Sequence, residues 1–488
     1  MKKMCKSFRW RAAVALMVCI CLVCSACSLK KAPSGNQGGE GGVVEDTKAA
    51  SDDKSVDDTK TDDSGKKQRG VISQAEYPEA VPYPVEDDFF GEDGEFDYSA
   101  YNVAYDAWEE DVKSRFGQYT GYKDGFEKFS FETMKQYLKE VGDDNKVYSP
   151  INVYIALSML AEVTDGQSRQ QILNLLGADD IESLRTKIAA MWKANYSDDG
   201  SVTSILGNSL WLRDDTKYEQ DTMDVLAKDY YVSSYKGQMG SDEFNKMLRD
   251  WINEQTGGLL KEQAEGIELS ADTIMALVST IYFKASWNNK FEKSLTEQKV
   301  FHSQSGDLDC DFMKQSNLGE YYKGDKFGAV KVGIQNSGDM WLVLPDEDCS
   351  VDELLEDKTV LDTVFDYKDK GEYALINLSV PKFDVVSETN LIDGLKALGV
   401  KDVFDPAVSD FTPMTKERNG LSVSQAQHAA RVKIDEDGLE AAAYTIIAIS
   451  EGAMIIEKEI DFTLDRPFLF VITGRDGMPL FTGVVNQP

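Results

Sequence analysis

The pattern of apolar and polar residues divides the globular part of the chain into a helical region followed by a strand-rich region. Residues 126–142 (FEKFSFETMKQYLKEVG) place apolar side chains along one stripe of a helix, and Gly142 is suited to end it. Ser149 and Pro150 then predict the start of a second helix over INVYIALSMLAEV (151–163), with the serine as N-cap and the proline in the first turn.

Four later segments have the apolar, β-branched and aromatic composition of strands: residues 273–287, 339–346, 374–385 and 466–474. Helices come first and strands after, without regular alternation. This order predicts an α+β domain with large antiparallel sheets rather than a parallel βαβ architecture. No long low-complexity break divides residues 121–488, so we expect one globular domain there.

The N-terminus has the pattern of an export signal. Basic residues precede an apolar run from Ala12 to Val23, which is too short to suit a spanning helix. The following Cys24-Ser25-Ala26-Cys27 resembles a bacterial lipoprotein processing site. We therefore predict a signal peptide over residues 1–27 and export to the outer side of a bacterial membrane, with a lipid anchor on Cys27. Plain secretion after cleavage near Ala26 is the alternative.

Two further segments precede the globular domain. Residues 28–75 are dominated by Gly, Ser, Thr, Lys and Asp, a composition that predicts a disordered acidic tether. Residues 76–120 are acidic but rich in aromatic residues. This extension either packs its rings on the domain or serves as an arm that binds a partner.

Charge and cysteine usage exclude several classes of partner. The chain carries 52 basic and 85 acidic side chains, a formal charge of −33, which disfavours nucleic acid and anionic polysaccharide. Five of its seven cysteines lie in the first 27 residues. The remaining two, Cys310 and Cys349, are too few for a disulfide framework or a zinc site, and we expect neither a metal nor another cofactor.

The sequence offers no catalytic constellation. Its two histidines are His302, in the predicted turn FHSQSG, and His428, in a strand pattern without a nearby nucleophile. We find no phosphate-binding glycine loop, nucleophile elbow or zinc-protease motif. The chain is therefore predicted not to be an enzyme, and His428 to be a hydrogen-bonded core residue.

The segment that follows Asp435 alternates like a strand but begins like a bend. One face would carry Leu439, Ala441, Ala443, Thr445, Ile447 and Ile449, and the other is mostly polar or small. Gly438 and the three acids before it are typical of a bend. We interpret this segment as a strand that forms only in a second state of the protein, hinged at Glu436–Leu439.

Five ordered motifs between residues 123 and 488 resemble the serpin family. They are NKVYSPINVYIALSMLAEVTDGQSRQQIL, MALVSTIYFKASWNNKF, VPKFDVVSETNLIDGLKALGVKDVFDPAVSDFTPMT, LSVSQAQHAARVKIDEDGLEAAA and DRPFLFVITGRDGMPLFTGVV. The resemblance implies a fold of about eight to nine helices and three β-sheets with an exposed reactive-centre loop. It also implies a monomeric, irreversible suicide-substrate inhibitor that traps a target serine protease in a covalent complex by inserting the loop into the main sheet. A non-inhibitory binding module and an inhibitor of papain-like cysteine proteases are the alternatives.

The resemblance also assigns roles to residues. The register from the hinge puts the reactive bond at Gly452–Ala453, with Glu451 and Met454 as neighbours. Small residues here suit elastase-like or subtilisin-like proteases. The hinge comprises Glu436, Gly438, Leu439, Glu440, Ala441, Ala442 and Ala443, and the sheet-opening region comprises Ser149, Asn152, Trp287 and His428.

Three departures from the family pattern carry expectations of their own. Leu439 replaces a small residue and would have to be buried during insertion, at a cost in packing strain. Arg249 stands where asparagine is common, which puts the family's hydrogen bonds around His428 in doubt. The mixed charge of residues 178–192 predicts no binding of a heparin-like polyanion.

Overall fold

The computed structural model describes residues 70–116, 121–139, 142–367, 370–439 and 458–488. All of them fall within one compact unit that spans Asp57–Pro488. Residues 1–27, most of the predicted tether and residues 440–457 lie outside the described residues.

The described residues form eleven α-helices, where eight or nine were expected, and three of these (α8, α9 and α11) are short helices of five or six residues. The predicted start of α3 is confirmed, because the Ser149 hydroxyl accepts a hydrogen bond from the Asn152 N–H at 3.2 Å and Pro150 is the first helical residue. The helices are α1 (Tyr98–Phe116), α2 (Phe126–Leu138), α3 (Pro150–Glu162), α4 (Gly166–Leu176), α5 (Ile181–Asn195), α6 (Gln220–Asp229), α7 (Asp242–Gln255), α8 (Lys261–Glu265), α9 (Val351–Leu355), α10 (Lys358–Phe365) and α11 (Ile392–Ala397).

Seventeen strands are described. They are β1 (Val71–Ser73), β2 (Lys146–Tyr148), β3 (Ser197–Asp198), β4 (Val202–Arg213), β5 (Val232–Gly237), β6 (Met275–Ser286), β7 (Glu297–Ser303), β8 (Gly306–Lys323), β9 (Phe327–Gly333), β10 (Asp339–Pro345), β11 (Glu372–Pro381), β12 (Phe383–Asn390), β13 (Gln427–Ile434), β14 (Gly438–Leu439), β15 (Glu459–Thr463), β16 (Phe468–Thr473) and β17 (Pro479–Val485).

The main sheet has eight strands in the order β1-β5-β4-β6-β14-β13-β12, with β3 paired to β4. The second sheet has nine, in the order β15-β11-β8-β9-β10-β16-β17-β2, with β7 paired to β8. Both are mixed rather than purely antiparallel, because β4 runs parallel to β5 and β11 runs parallel to β15.

Two sheets are described where three were expected, and the reason is the 18-residue strand β8. Its first half forms a hairpin with β7, and its last residues pair with β9. The same strand pairs with β11 from Phe312 to Tyr321. One long strand therefore joins two groups of strands into a single hydrogen-bonded sheet.

Two local expectations also change. The predicted strand 374–385 is divided at Lys382, where the chain passes from β11 in the second sheet to β12 in the main sheet. His302 lies in β7 rather than in the turn, and its exposed ring contacts Asp307 across the hairpin, with Nδ1 2.7 Å from the carboxylate.

The N-terminal extension packs against the domain. The Tyr77 ring lies 5.2 Å from the Trp192 ring, centroid to centroid, and the buried Trp108 indole N–H donates to the Asp199 carboxylate at 2.9 Å. These contacts support the first of the two interpretations of residues 76–120. Order also begins earlier than the predicted boundary at residue 75, because Val71–Ser73 pairs with β5.

We predict that Trp108→Phe destabilises the attachment of α1 to the domain by about 1–3 kcal/mol, because the buried Asp199 carboxylate loses a donor and the smaller ring fills less of the buried site. The measurement is the urea midpoint together with the rate at which a protease removes residues 70–116. Tyr98→Phe, at a ring that is 73% exposed, is the control. Equal midpoints and cleavage rates for the two variants would contradict the prediction.

Candidate functional site

The candidate site is a discontinuity in the main sheet. Strands β6 and β13 are joined in the described structure through β14, which has only two residues and runs antiparallel to both neighbours. In contrast, β6 has twelve residues and β13 has eight. We call the space between β6 and β13 beyond Leu439 the slot.

The segment that leads to the slot, Asp435–Asp437, is anchored through its backbone. The buried Trp287 indole N–H donates to the Asp435 carbonyl oxygen at 2.8 Å. The backbone N–H groups of Trp287 and Phe291 donate to the carbonyl oxygens of Asp437 and Glu436, at 3.3 and 3.0 Å. Trp287 therefore fixes the position from which the hinge begins.

The Glu436 side chain reinforces this anchor. Its carboxylate accepts a hydrogen bond from the Thr296 hydroxyl at 2.7 Å and lies 3.0 Å from the Lys382 ammonium group. Burial acts to raise the pKa of Glu436, but hydrogen bonds from Thr296 and from the Glu436 backbone, together with Lys382, outweigh burial and hold the pKa below its usual value. The adjacent Asp437 forms an ion pair with Lys293 at 2.7 Å. Glu436 was predicted from the sequence as part of the hinge, but none of its partners was.

Strand β14 is already part of the sheet. A Cβ at Gly438 would lie 2.3 Å from the Ala285 carbonyl oxygen, so the close approach to β6 requires glycine. Leu439 is only 3% exposed and pairs with Ala285 and Ile434. The expectation that Leu439 is buried only during insertion is therefore wrong, because the leucine already belongs to the core.

Three of the four predicted sheet-opening residues lie together farther along the slot. The Ser149 N–H donates to His428 Nε2 in β13 at 3.0 Å, and the Asn152 amide donates to the Ser279 carbonyl oxygen in β6 at 3.0 Å. The Ser279 hydroxyl also donates to the Asn152 side-chain oxygen. The N-terminus of α3 is thus bonded to both strands that flank the slot.

His428 is held as a neutral acceptor. Its ring is 5% exposed, and burial lowers its pKa to about 4. An unprotonated Nε2 is what the bond from the Ser149 N–H requires. The prediction of a hydrogen-bonded core histidine is therefore confirmed. Arg249 does not take part in the described hydrogen bonds of His428, and its guanidinium donates instead to the Ile267 carbonyl oxygen at 3.3 Å.

Trp287, the fourth predicted residue, lies at the hinge end of the slot and not with the other three. Ser279, Thr296 and Lys382 were not predicted from the sequence. The only signal of Ser279 is a small polar residue directly after the apolar run Met275–Val278. A cavity of about 370 Å³ adjoins the far end of the slot. Its walls include Leu277 and Val278 of β6 and Ala429 of β13.

Several predicted residues lie outside the described part of the chain. These are Cys27 and, in the loop, Glu440, Ala441, Ala442, Ala443, Glu451, Gly452, Ala453 and Met454. Within the described part, no group of three or more His, Cys, Asp or Glu side chains is arranged to hold a metal ion. Cys310 and Cys349 are free thiols there.

None of the described helices combines the length and the apolar composition that crossing a bilayer requires.

Comparisons with known proteins agree on one family. The family model described as "Serpin (serine protease inhibitor)" matches residues 124–488. Antichymotrypsin-2 of Bombyx mori is 29% identical over 374 residues, which cover 75% of this chain and 97% of that protein. Human Serpin B4 is 28% identical over 389 residues, which cover 74% of this chain and 98% of that protein. The native structure of tengpin, a thermophilic serpin, is 23% identical and superposes with a TM-score of 0.68 over 76% of this chain and 95% of its own.

We predict that His428 makes stability depend on pH. Its folded pKa, about 4, lies below the ordinary value of 6.5, so on acidification the unfolded chain binds a proton that the native protein does not. Neutral His428 therefore contributes on the order of 3 kcal/mol to the free energy of unfolding above pH 6.5. This contribution is lost as the pH falls to about 4.

The measurement is the urea midpoint at pH 7 and pH 4.5 for the wild type and for His428→Gln, whose amide oxygen can accept the Ser149 N–H. The wild type should lose more stability on acidification than this variant. His302→Gln, at the exposed histidine of β7, is the matched control and should follow the wild type. Parallel pH dependences for all three proteins would exclude this role of His428.

Proposed function

This chain belongs to the serpin family, and from that premise we propose that it is an irreversible suicide-substrate inhibitor of serine proteases. The family is one of protease inhibitors rather than enzymes, in agreement with the expectation that the chain is not an enzyme. The observation that carries the proposal is the slot, which begins where the two residues of β14 end and which the following segment can fill.

The register of β14 gives the length of the strand that the slot accepts. Gly438 pairs with Ser286 and Leu439 with Ala285. Continuation of this antiparallel register would bring Ile449 opposite Met275, the first residue of β6. The alternation of the sequence runs through the same residue, Ile449. The segment and the strand beside it therefore match in length.

The same register predicts which side chains would enter the core. Because Leu439 is buried, Ala441 and Ala443 would also point inward, next to Val432 and Ala430 of β13, which are buried. These positions favour small apolar residues. The sequence supplies alanine at both.

The next inward residue is polar. In this register Thr445 would lie between Ser279 of β6 and His428 of β13. The Thr445 hydroxyl would thus meet the polar side chains of Ser279 and His428. This correspondence supports insertion in this register rather than one shifted by a residue, which would send the apolar face to the wrong side.

In the proposed reaction, the protease serine attacks the carbonyl carbon of Gly452. The Gly452–Ala453 C–N bond breaks, the nitrogen of Ala453 leaves as a protonated amine, and an ester joins the protease to Gly452. The freed upstream segment then enters the slot. From Gly438 to Gly452 the inserted strand would carry the attached protease roughly 45 Å, before water hydrolyses the ester.

Small residues at Ser450, Gly452 and Ala453 favour an elastase-like or subtilisin-like target. Cleavage after Glu451 or Met454 would change the target class to glutamyl-specific or chymotrypsin-like proteases. The segment from 434 to 457 has no Lys or Arg, which disfavours trypsin-like targets.

The test is to mix residues 28–488 with an elastase and with a subtilisin and to analyse the products on denaturing gels. We expect a band near the summed mass, and mass spectrometry of the released C-terminal peptide should place the cleavage after Gly452. Cleaved protein without a covalent band, across a broad panel of serine and papain-like proteases, would contradict the inhibitor proposal and favour the non-inhibitory alternative.

One substitution tests insertion separately from cleavage. Ala443→Arg would bury a charge in the inserted strand and should convert most of the protein from inhibitor to cleaved substrate. Ala443→Val, which suits a strand, is the matched control and should keep the covalent complex. If Ala443→Arg traps the protease as efficiently as the wild type, insertion in the proposed register is wrong.

We also propose that export ends with lipidation of Cys27, which would tether the inhibitor to the outer side of a bacterial membrane. The support is the sequence pattern around Cys27. In a bacterial expression host, the wild type should sediment with membranes and incorporate labelled fatty acid, whereas Cys27→Ser should do neither. Release of the wild type as an unlabelled soluble protein would instead indicate plain secretion.

A further inference from the structure

A second feature of the molecule lies outside the slot. It is a pocket of about 710 Å³ between helix α7 and the β1–β5 edge of the main sheet. This volume is in the range of about 300–1,000 Å³ that is typical of small-molecule sites. We call it the α7 pocket.

One face of α7 gives the pocket its charge. Glu243, Met247, Asp250 and Glu254 line it and recur at the spacing of one helical face, whereas Leu248 on the other side is buried in the core. Asp250 forms an ion pair with the exposed Lys246, but no ion pair of Glu243 or Glu254 occurs among the described residues. No Lys or Arg in the described part of the chain lines the pocket.

Aromatic rings form the facing wall and the floor. Tyr77 and Tyr235 are partly exposed, and Trp251 is 7% exposed. The Tyr235 ring is held by stacking on the buried Trp211, with centroids 4.5 Å apart and planes inclined by 19°. Burial, and secondarily the Glu254 charge, raises the pKa of Tyr235. These rings therefore offer apolar faces beside the negative charge of Glu254.

We propose that the α7 pocket binds a linear aliphatic polyamine. Along the helix axis, Glu243 and Asp250 are about 10.5 Å apart and Asp250 and Glu254 are about 6 Å apart, from the rise per residue. In a linear polyamine, short methylene chains separate the ammonium groups by distances similar to those between these carboxylates. The methylene groups, and the ammonium charges through cation–π attraction, match the aromatic wall.

The pocket is a property of this chain more than of its family. Val71, Gln74, Ala75 and Tyr77 supply part of its wall, and all four precede residue 124, where the family match begins. Their positions are fixed by the β1–β5 pairing and by the bond from the Ala75 N–H to the Ser233 hydroxyl at 3.1 Å. The site therefore depends on the N-terminal extension and is independent of the proposed inhibition.

The test is calorimetric titration of residues 28–488 with spermine in about 0.15 M salt, where attraction to the diffuse surface charge is screened beyond about 8 Å. We expect one site, and we expect Glu243→Gln combined with Glu254→Gln to weaken it at least tenfold. Asp242→Asn, on the same helix but outside the pocket, is the control and should change the affinity less than twofold. Thermal melting should show that all variants are folded.

Three results would overturn the proposal. The first is equal weakening by the control and by the double variant, which would indicate only diffuse attraction to an acidic surface. The second is binding of butylamine as tightly as spermine, which would remove the argument from charge spacing. The third is binding of a tetralysine peptide as tightly as spermine, which would assign the pocket to basic protein segments rather than to a free polyamine.

Discussion

An incomplete hydrogen-bond ladder is the constraint on which the rest of the structure depends. Beyond Leu439, β6 continues from Lys284 back to Met275, and β13 from Lys433 back to Gln427, without a described strand between them. Strand edges present rows of backbone donors and acceptors that favour the addition of another strand. Under the proposed function, the strand that fills this space comes from the same chain.

The free energy of the missing hydrogen bonds is large enough for the proposed function. A net 0.5–1.5 kcal/mol for each new hydrogen bond, over a strand that would span the ten residues from Met275 to Lys284, gives on the order of 10 kcal/mol. A folded domain is stable by about 5–15 kcal/mol in total. Completion of the ladder can therefore release enough free energy to deform a protease held at the end of the strand, provided that the insertion precedes hydrolysis.

Local signals in the sequence predicted the elements, but distant contacts determined how the site is assembled. Ser149 and Pro150 place the start of α3 because the cap and the first turn involve only neighbouring residues. Glu436 gives no indication of its partners, since Thr296 and Lys382 lie 140 and 54 residues away in the chain. Strand β1 was predicted to belong to the tether, because three residues between polar segments show no periodicity. It is a strand because it pairs with β5. Leu439 was assigned to the mobile hinge because alternation does not show where pairing begins.

The N-terminal extension covers part of one outer edge of the main sheet. Without β1, the outer edge of β5 would offer a second place for strand addition, in competition with the slot. Val71 and Ser73 pair with Tyr235 and Ser234 and so occupy part of that edge. Ring packing of Tyr77 and the hydrogen bond from Trp108 to Asp199 attach the rest of the extension to the domain. The position of β1 is therefore not held by its few strand hydrogen bonds alone. For the proposed function, this protection prevents strand addition at an edge where it would be unproductive.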